Sequence, residues 1–247
     1  MDVSAEVNPT DLFSASGLTI VITGGGTGLG QAMLSAVVKT GAAKVYILGR
    51  RLEALQKAAS AIDSSGSVIA CKQCDVANPD SVANVVRAIE GEVDHVDVII
   101  NNAGVSGPDH RPLYQAKSLR EVQSALLGPS ADSWATTFAI NSSAPAIVSA
   151  AFLHLLEKGN AKRGWETGKM EPGGRARKRV EVEGVDSKDV RTSQIITIAS
   201  IAAYARIITA GLPYIGSKAA VVAMGKSMAN FLAPWGIRVN TICPGGE

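Results

Sequence analysis

Short apolar, β-branched runs alternate with longer amphipathic stretches over the first hundred residues. Residues 18–23 read as a buried strand that ends in a glycine cluster. Residues 28–40 then read as a helix stopped by Gly41, and 44–48 as a second strand. Leu52, Leu55, Ala59 and Ile62 fall on one helical face. A third strand is predicted at 68–74. Asn78 caps a helix that has Pro79 in its first turn, and a fourth strand covers 96–101. Farther along, 105–132 reads as a loop with one short helix at 119–126, and 133–157 as one long helix. Later elements are a strand at 194–199, a helix at 214–232 and a last strand at 237–242. Such alternation predicts a parallel sheet with right-handed crossovers and helices on both faces. Ligands of such sheets bind beyond the carboxyl ends of the strands.

One stretch breaks the pattern. Residues 159–192 carry nine basic and six acidic side chains with almost no periodicity. They are expected to form a polar, mobile insertion that folding does not need. The basic run 175–179 is read as a solvated face rather than a nucleic-acid contact.

Composition narrows the classes. With 247 residues, 46% of them hydrophobic, the chain can build one large core. A formal net charge of +2 gives no field for nucleic acid or an anionic membrane. No run is long and apolar enough to span a bilayer, and the first residues lack the pattern of a secretory signal. Three cysteines are too few for a disulfide framework, so a reducing, cytoplasmic setting is expected. Cys71 and Cys74 have the spacing of a metal or redox pair but share a strand, which aims them at opposite faces. His95, His110 and His154 are scattered, and Trp134, Trp165 and Trp235 form no stacking series, so no metal and no nucleic acid are expected.

Chemistry concentrates at the predicted strand ends. Thr23-Gly24-Gly25-Gly26-Thr27-Gly28-Leu29-Gly30 lies between strand and helix, where glycines permit a tight turn and close approach to a pyrophosphate. The second strand ends Leu48-Gly49-Arg50-Arg51 with no acid to take a ribose 2′-hydroxyl. The two arginines suit a 2′-phosphate, which favours NADP, with NAD possible. Asp75-Val76 could meet the adenine. Asn101-Asn102-Ala103-Gly104 fits beside a ribose and nicotinamide. Tyr214 and Lys218 are one helical turn apart. A nearby ammonium favours a phenolate, so Tyr214 is a candidate acid or base. Ser200, at a strand end, could hold a substrate carbonyl or simply cap a turn. Pro145 cannot donate to the carbonyl of Asn141, four residues earlier, which kinks the helix or frees a water site.

These motifs, in this order and with Pro244-Gly245 at the end, resemble the classical short-chain dehydrogenase/reductase family from about Leu12 to Gly245. The resemblance implies a Rossmann-type, doubly wound α/β fold in one domain over 1–247. It implies hydride transfer between NADP(H) and a carbonyl or secondary alcohol. Tyr214 would be proton donor or acceptor, Ser200 the substrate-orienting hydroxyl, Lys218 the ribose contact and modulator, and Asn141 part of a water relay. Thr23, Gly24, Thr27, Gly28, Leu29, Gly30, Arg50, Arg51, Asp75, Val76, Asn102, Ala103, Gly104, Pro244 and Gly245 complete the expected cofactor site. Family members continue past Pro-Gly through a substrate-covering segment, a helix and a strand, whereas this sequence stops at Glu247. The expectation is a fold without that helix and last strand, with a possible homo-oligomer. A dinucleotide-binding module without turnover is the alternative, and a sugar-nucleotide epimerase fits the length and the Asn-Asn-Ala-Gly motif less well.

Overall fold

The computed structural model describes residues 13–171 and 173–245. Six strands form one parallel sheet: β1 (Thr19–Thr23), β2 (Lys44–Gly49), β3 (Ile69–Gln73), β4 (Val98–Asn101), β5 (Gln194–Ile198) and β6 (Arg238–Ile242). Their spatial order is β3-β2-β1-β4-β5-β6, which makes the sheet doubly wound. Alternating side chains feed two cores. Val21, Tyr46, Leu48 and Ile99 pack on one side with α3 (Pro79–Glu90), α6 (Ala144–Ala151) and α7 (Leu153–Lys162). Ile20, Ile22, Val45, Ile47, Val98 and Ile100 pack on the other with α1 (Gly28–Lys39) and α2 (Leu52–Ile62). Cys74 and Cys71 belong to opposite cores, as their spacing predicts. Asn78 caps α3 by accepting from the N–H groups of Asp80 and Ser81.

The helix predicted at 133–157 is three pieces. After α4 (Leu119–Leu127), α5 (Ala131–Phe138) runs into a π turn, Ala139–Ser143. The N–H of Ala144 reaches back five residues to Ala139, and Pro145 then starts α6. Proline supplies no N–H, so the register shifts there rather than persisting. A second break at Phe152 bends α7 by 49° from its predecessor. No sequence signal marks that break. No single described helix is long and apolar enough to cross a bilayer.

The segment 159–192, expected to be a polar, mobile insertion, is tied to the sheet. Its first residues complete α7, where Asn160 is buried. The Asn160 amide donates to Gly236 O at 3.0 Å and accepts the N–H of Ser193 at 2.7 Å. Arg163, 5% exposed, pairs with Asp97 at the base of β4. Arg177 donates to Pro234 O at 2.6 Å, and Arg191 donates to the carbonyls of Ser14 and Ser16. The polar composition serves a strap bound by arginine-to-carbonyl hydrogen bonds, which need no apolar periodicity. Tyr214 and Lys218 lie on α8 (Leu212–Leu232), the long helix before β6.

Candidate active site

Beyond the carboxyl ends of β1 to β4 lies a cleft of about 290 Å³. Its walls are Gly24, Gly26 and Thr27 from the first turn, Gly49, Arg50 and Arg51 from the second, Asp75 and Val76 from the third, and Asn102, Ala103 and Gly104 from the fourth. The first turn is built to be tight. Gly24 has φ +68°, and a Cβ there would stand 3.0 Å from Ala103 Cα. A Cβ on Gly30 would meet Gly24 O at 2.1 Å, so any side chain would force α1 off the turn. Gly28 has φ +54° and faces open space, as a backbone approached by a ligand requires.

Thr23 and Asn102 brace this cradle from beneath. Thr23 Oγ1 accepts the N–H groups of Asn102 and Ala103, each at 3.0 Å. The Asn102 amide donates to Thr23 O and Gly24 O, each at 3.1 Å. Both side chains are therefore spent on joining β1 to β4. Leu29 is 56% exposed at the start of α1. Arg50 and Arg51 are exposed, and no carboxylate among the described residues pairs with either. Asp75 accepts the N–H of Ala77 at 3.1 Å and fixes the third turn.

The second half of the site is centred on Lys218. Its side chain is buried, and Nζ donates to Ile198 O at 2.8 Å. Nζ lies 5.7 Å from the centroid of the Tyr214 ring and 3.6 Å from where a Gly104 Cβ would stand. The ammonium thus joins the cleft to the phenol. Burial lowers its pKa from 10.5 to about 8. Tyr214 is half-buried, and its hydroxyl makes no hydrogen bond among the described residues. Ser200 Oγ accepts the N–H of Ala202 at 3.1 Å, capping the turn after β5. The cap uses a lone pair and leaves the hydroxyl proton. Pro244 O accepts the N–H of Ile201 at 2.9 Å, which sets that turn against the end of β6, and Gly245 is exposed beside it.

Asn141 lies in the π turn, 1% exposed. Its amide accepts the N–H of Val105 at 2.8 Å, donates to Val105 O at 2.8 Å and donates to Ser217 Oγ at 3.0 Å. Ser217 Oγ donates in turn to Tyr214 O at 2.8 Å, and Ser142 Oγ to Ser217 O at 2.9 Å. Sequence reasoning did not single out Ser142 or Ser217. The one available signal is adjacency, since each neighbours a motif residue. The motif set is therefore brought together in two joined parts, with Thr23, Asn102 and the Asn141 side chain serving as braces. No group of three or more His, Cys, Asp or Glu suited to a metal occurs among the described residues.

Comparison with known proteins agrees with this geometry. The short chain dehydrogenase family model matches residues 18–164, and the enoyl-(acyl carrier protein) reductase model matches 185–246. The short-chain dehydrogenase/reductase VdtF of Byssochlamys spectabilis is 38% identical over 240 residues, spanning 96% of this chain and 75% of that protein. PhomF of Diaporthe leptostromiformis is 34% identical over 247 residues, spanning 98% and 75%. A short-chain type dehydrogenase/reductase from Mycobacterium marinum superposes with a TM-score of 0.72 at 26% identity, covering 95% of this chain and 75% of that one. The alternative of a binding module without turnover finds no support in these matches. The chain belongs to the short-chain dehydrogenase/reductase family, whose members are NAD(P)-dependent oxidoreductases.

Proposed function

We propose that the protein is an NADP-preferring reductase of a ketone or aldehyde. The reading is carried by one observation: the Lys218 ammonium borders both Gly104 in the cleft and the Tyr214 ring. The cleft fits a dinucleotide, because its first turn is a positive-φ glycine cradle opening on a helix N-terminus. Arg50 and Arg51 would hold the 2′-phosphate, Asp75 and Val76 the adenosine, and Thr27, Gly28, Leu29 and Gly30 the pyrophosphate. Gly104, Pro244 and Gly245 would flank the nicotinamide. When bound, the dinucleotide supplies the hydride.

Tyr214 donates its proton to the developing alkoxide oxygen. The Lys218 charge stabilises the phenolate left behind. Ser200 still has a proton to give and orients the substrate oxygen. Lys218 would also hold the ribose. Asn141 keeps Val105 and Ser217 in place, and its main-chain carbonyl would anchor a water that returns a proton. The homo-oligomer reading is supported by the apolar groove between α6 and α8, where Phe231 is 55% exposed beside Met224, Met228 and Ala150. Sedimentation with and without Phe231→Glu tests it.

The functional test is a carbonyl panel assayed with NADPH and NADH, alongside cofactor titrations by fluorescence. Turnover with NADPH and weaker NADH binding are expected. Equal or tighter NADH binding overturns the cofactor assignment, and the absence of turnover across the panel overturns the reductase assignment.

A further inference from the structure

The helix that carries Tyr214 begins without a cap of its own. Its N-cap is Gly211, which has no side chain, and its second residue is Pro213, which has no N–H. One of the first-turn donors at this end is the N–H of Leu212, two residues before the phenol. It is met from another part of the chain. His110 Nδ1 lies 3.4 Å from Leu212 N as acceptor, and the main-chain N–H of His110 donates to Ala210 O at 2.9 Å. His110 is 1% exposed, and its ring meets Trp134 edge-on at 6.4 Å between centroids. Gly211 is pressed against the same loop, since a Cβ there would stand 1.8 Å from Pro108 O. Tyr114 adds a third link, its hydroxyl accepting the N–H of Ile208 at 2.8 Å.

We infer that His110 is a positioning residue for Tyr214, acting as the N-cap that α8 lacks. An N-cap side chain must accept from a first-turn N–H, and the neutral imidazole does so through Nδ1, which places the ring proton on Nε2. The residue holds the first turn of α8, and with it the approach of the phenol, without touching substrate. A buried, isolated histidine on a loop gives no sign of this in the sequence, because its partner is 102 residues away. The inference rests on Tyr214 as the proton-transfer residue for its effect on turnover, and on hydrogen bonding alone for its effect on the helix.

The chemistry supplies a selective test. Asparagine carries its Oδ1 at the same branch as histidine Nδ1, so His110→Asn restores the acceptor without the ring. His110→Leu keeps bulk and removes the acceptor. The expected result for His110→Leu is a loss of hydrogen-exchange protection at Leu212, Tyr214 and Ile215 of roughly three- to thirtyfold, the range of a helix N-cap. Turnover falls while KM for NADPH holds, and His110→Asn recovers both protection and turnover. The inference is overturned if His110→Leu keeps its protection and turnover. It is equally overturned if His110→Asn, at unchanged Tm, loses them as His110→Leu does, since ring packing on Trp134 is then what matters. If the unmodified protein reduces no carbonyl, the functional assignment fails while hydrogen exchange still decides the cap.

Discussion

The two ends of the parallel sheet solve the same problem in opposite ways. Both bury polar groups where strands run out. At the carboxyl end, Thr23, Asn102, Asn141 and Ser217 are neutral and bonded to one another or to main chain, and among the described residues the one buried charge is Lys218. At the amino end, Asp97 is 1% exposed and meets Arg163, the N–H of Thr19 at 2.7 Å and His95 at 3.4 Å. Burial pushes the Asp97 carboxyl up, but the His95 imidazole and the Arg163 guanidinium outweigh it and hold its pKa below the ordinary value. One end is closed by paired charge, and the other is left with a cation whose pairing is incomplete. A chain that keeps an uncompensated ammonium buried does so at a cost, and a site for a ligand is the usual return.

The largest separation of the two ends should come from Tyr214→Phe. Loss of the hydroxyl should cut turnover by about 10²–10⁴-fold, with NADPH binding and Tm unchanged because the ring still packs. Near-normal turnover on a verified substrate removes Tyr214 from the proton step.

The converse change is Arg163→Met, which strands Asp97 without its cation. Breaking a buried pair on one side costs about 3–5 kcal/mol, so Tm should fall steeply while the cofactor cleft, at the far end of the strands, keeps its affinity in whatever protein stays folded. Replacing 162–191 by a Gly/Ser link should destabilise in the same way. An unchanged Tm in both would return the strap to the status of an insertion that folding does not need.

Why the two ends differed in legibility follows from how each is built. The carboxyl end is made by local order: glycines at 24, 28 and 30 before a helix, and Tyr214 and Lys218 one turn apart. Spacing along the chain carries that information. The strand runs at β1 to β6 were legible for the same reason, since a short apolar, β-branched run is contiguous in the chain and needs no distant partner. The amino end is made by pairs far apart in sequence. Arg163 and Asp97 are 66 residues apart, and a charge run gives no hint of which member will be buried. The roles of His110 and Ser217 escaped notice likewise. Pro145 was visible as a break in 133–157, yet Phe152 carries no breaking residue, so the second bend depends on packing alone.

Lys218 should reveal its burial through pH. Its pKa is about 8 in the folded protein against an ordinary 10.5. Between those values the unfolded chain binds more protons at this site, so its contribution to unfolding free energy rises with pH across that window and is most unfavourable below 8. The cofactor-free Lys218→Met variant should therefore exceed the parent in stability by up to about 3 kcal/mol at pH 7, and the gap should narrow toward pH 10.5. A gap independent of pH would mean that Lys218 is solvated, and the contrast between the two ends would weaken.

The smallest effect concerns Arg50, which lines the cleft yet is exposed and has no carboxylate partner among the described residues. Exposure limits what one guanidinium can contribute. A charge-assisted hydrogen bond is worth roughly 1.5–3 kcal/mol before solvent screening, and screening at an open rim reduces that, so Arg50→Ala should weaken NADPH by about tenfold or less. NADH, which lacks the 2′-phosphate, should be nearly unaffected. Adding Gly49→Asp supplies an acceptor for the ribose hydroxyl and repels the phosphate. A Cβ at 49 would stand 3.3 Å from a Leu55 methyl, which must yield by a few tenths of an ångström. The double variant should thus reverse the preference at little cost in Tm. Salt gives a control, because the Arg50 contribution should shrink from 50 to 500 mM salt while a shape-based preference should not. Equal losses for both cofactors would show that Arg50 supports the turn rather than reading the phosphate.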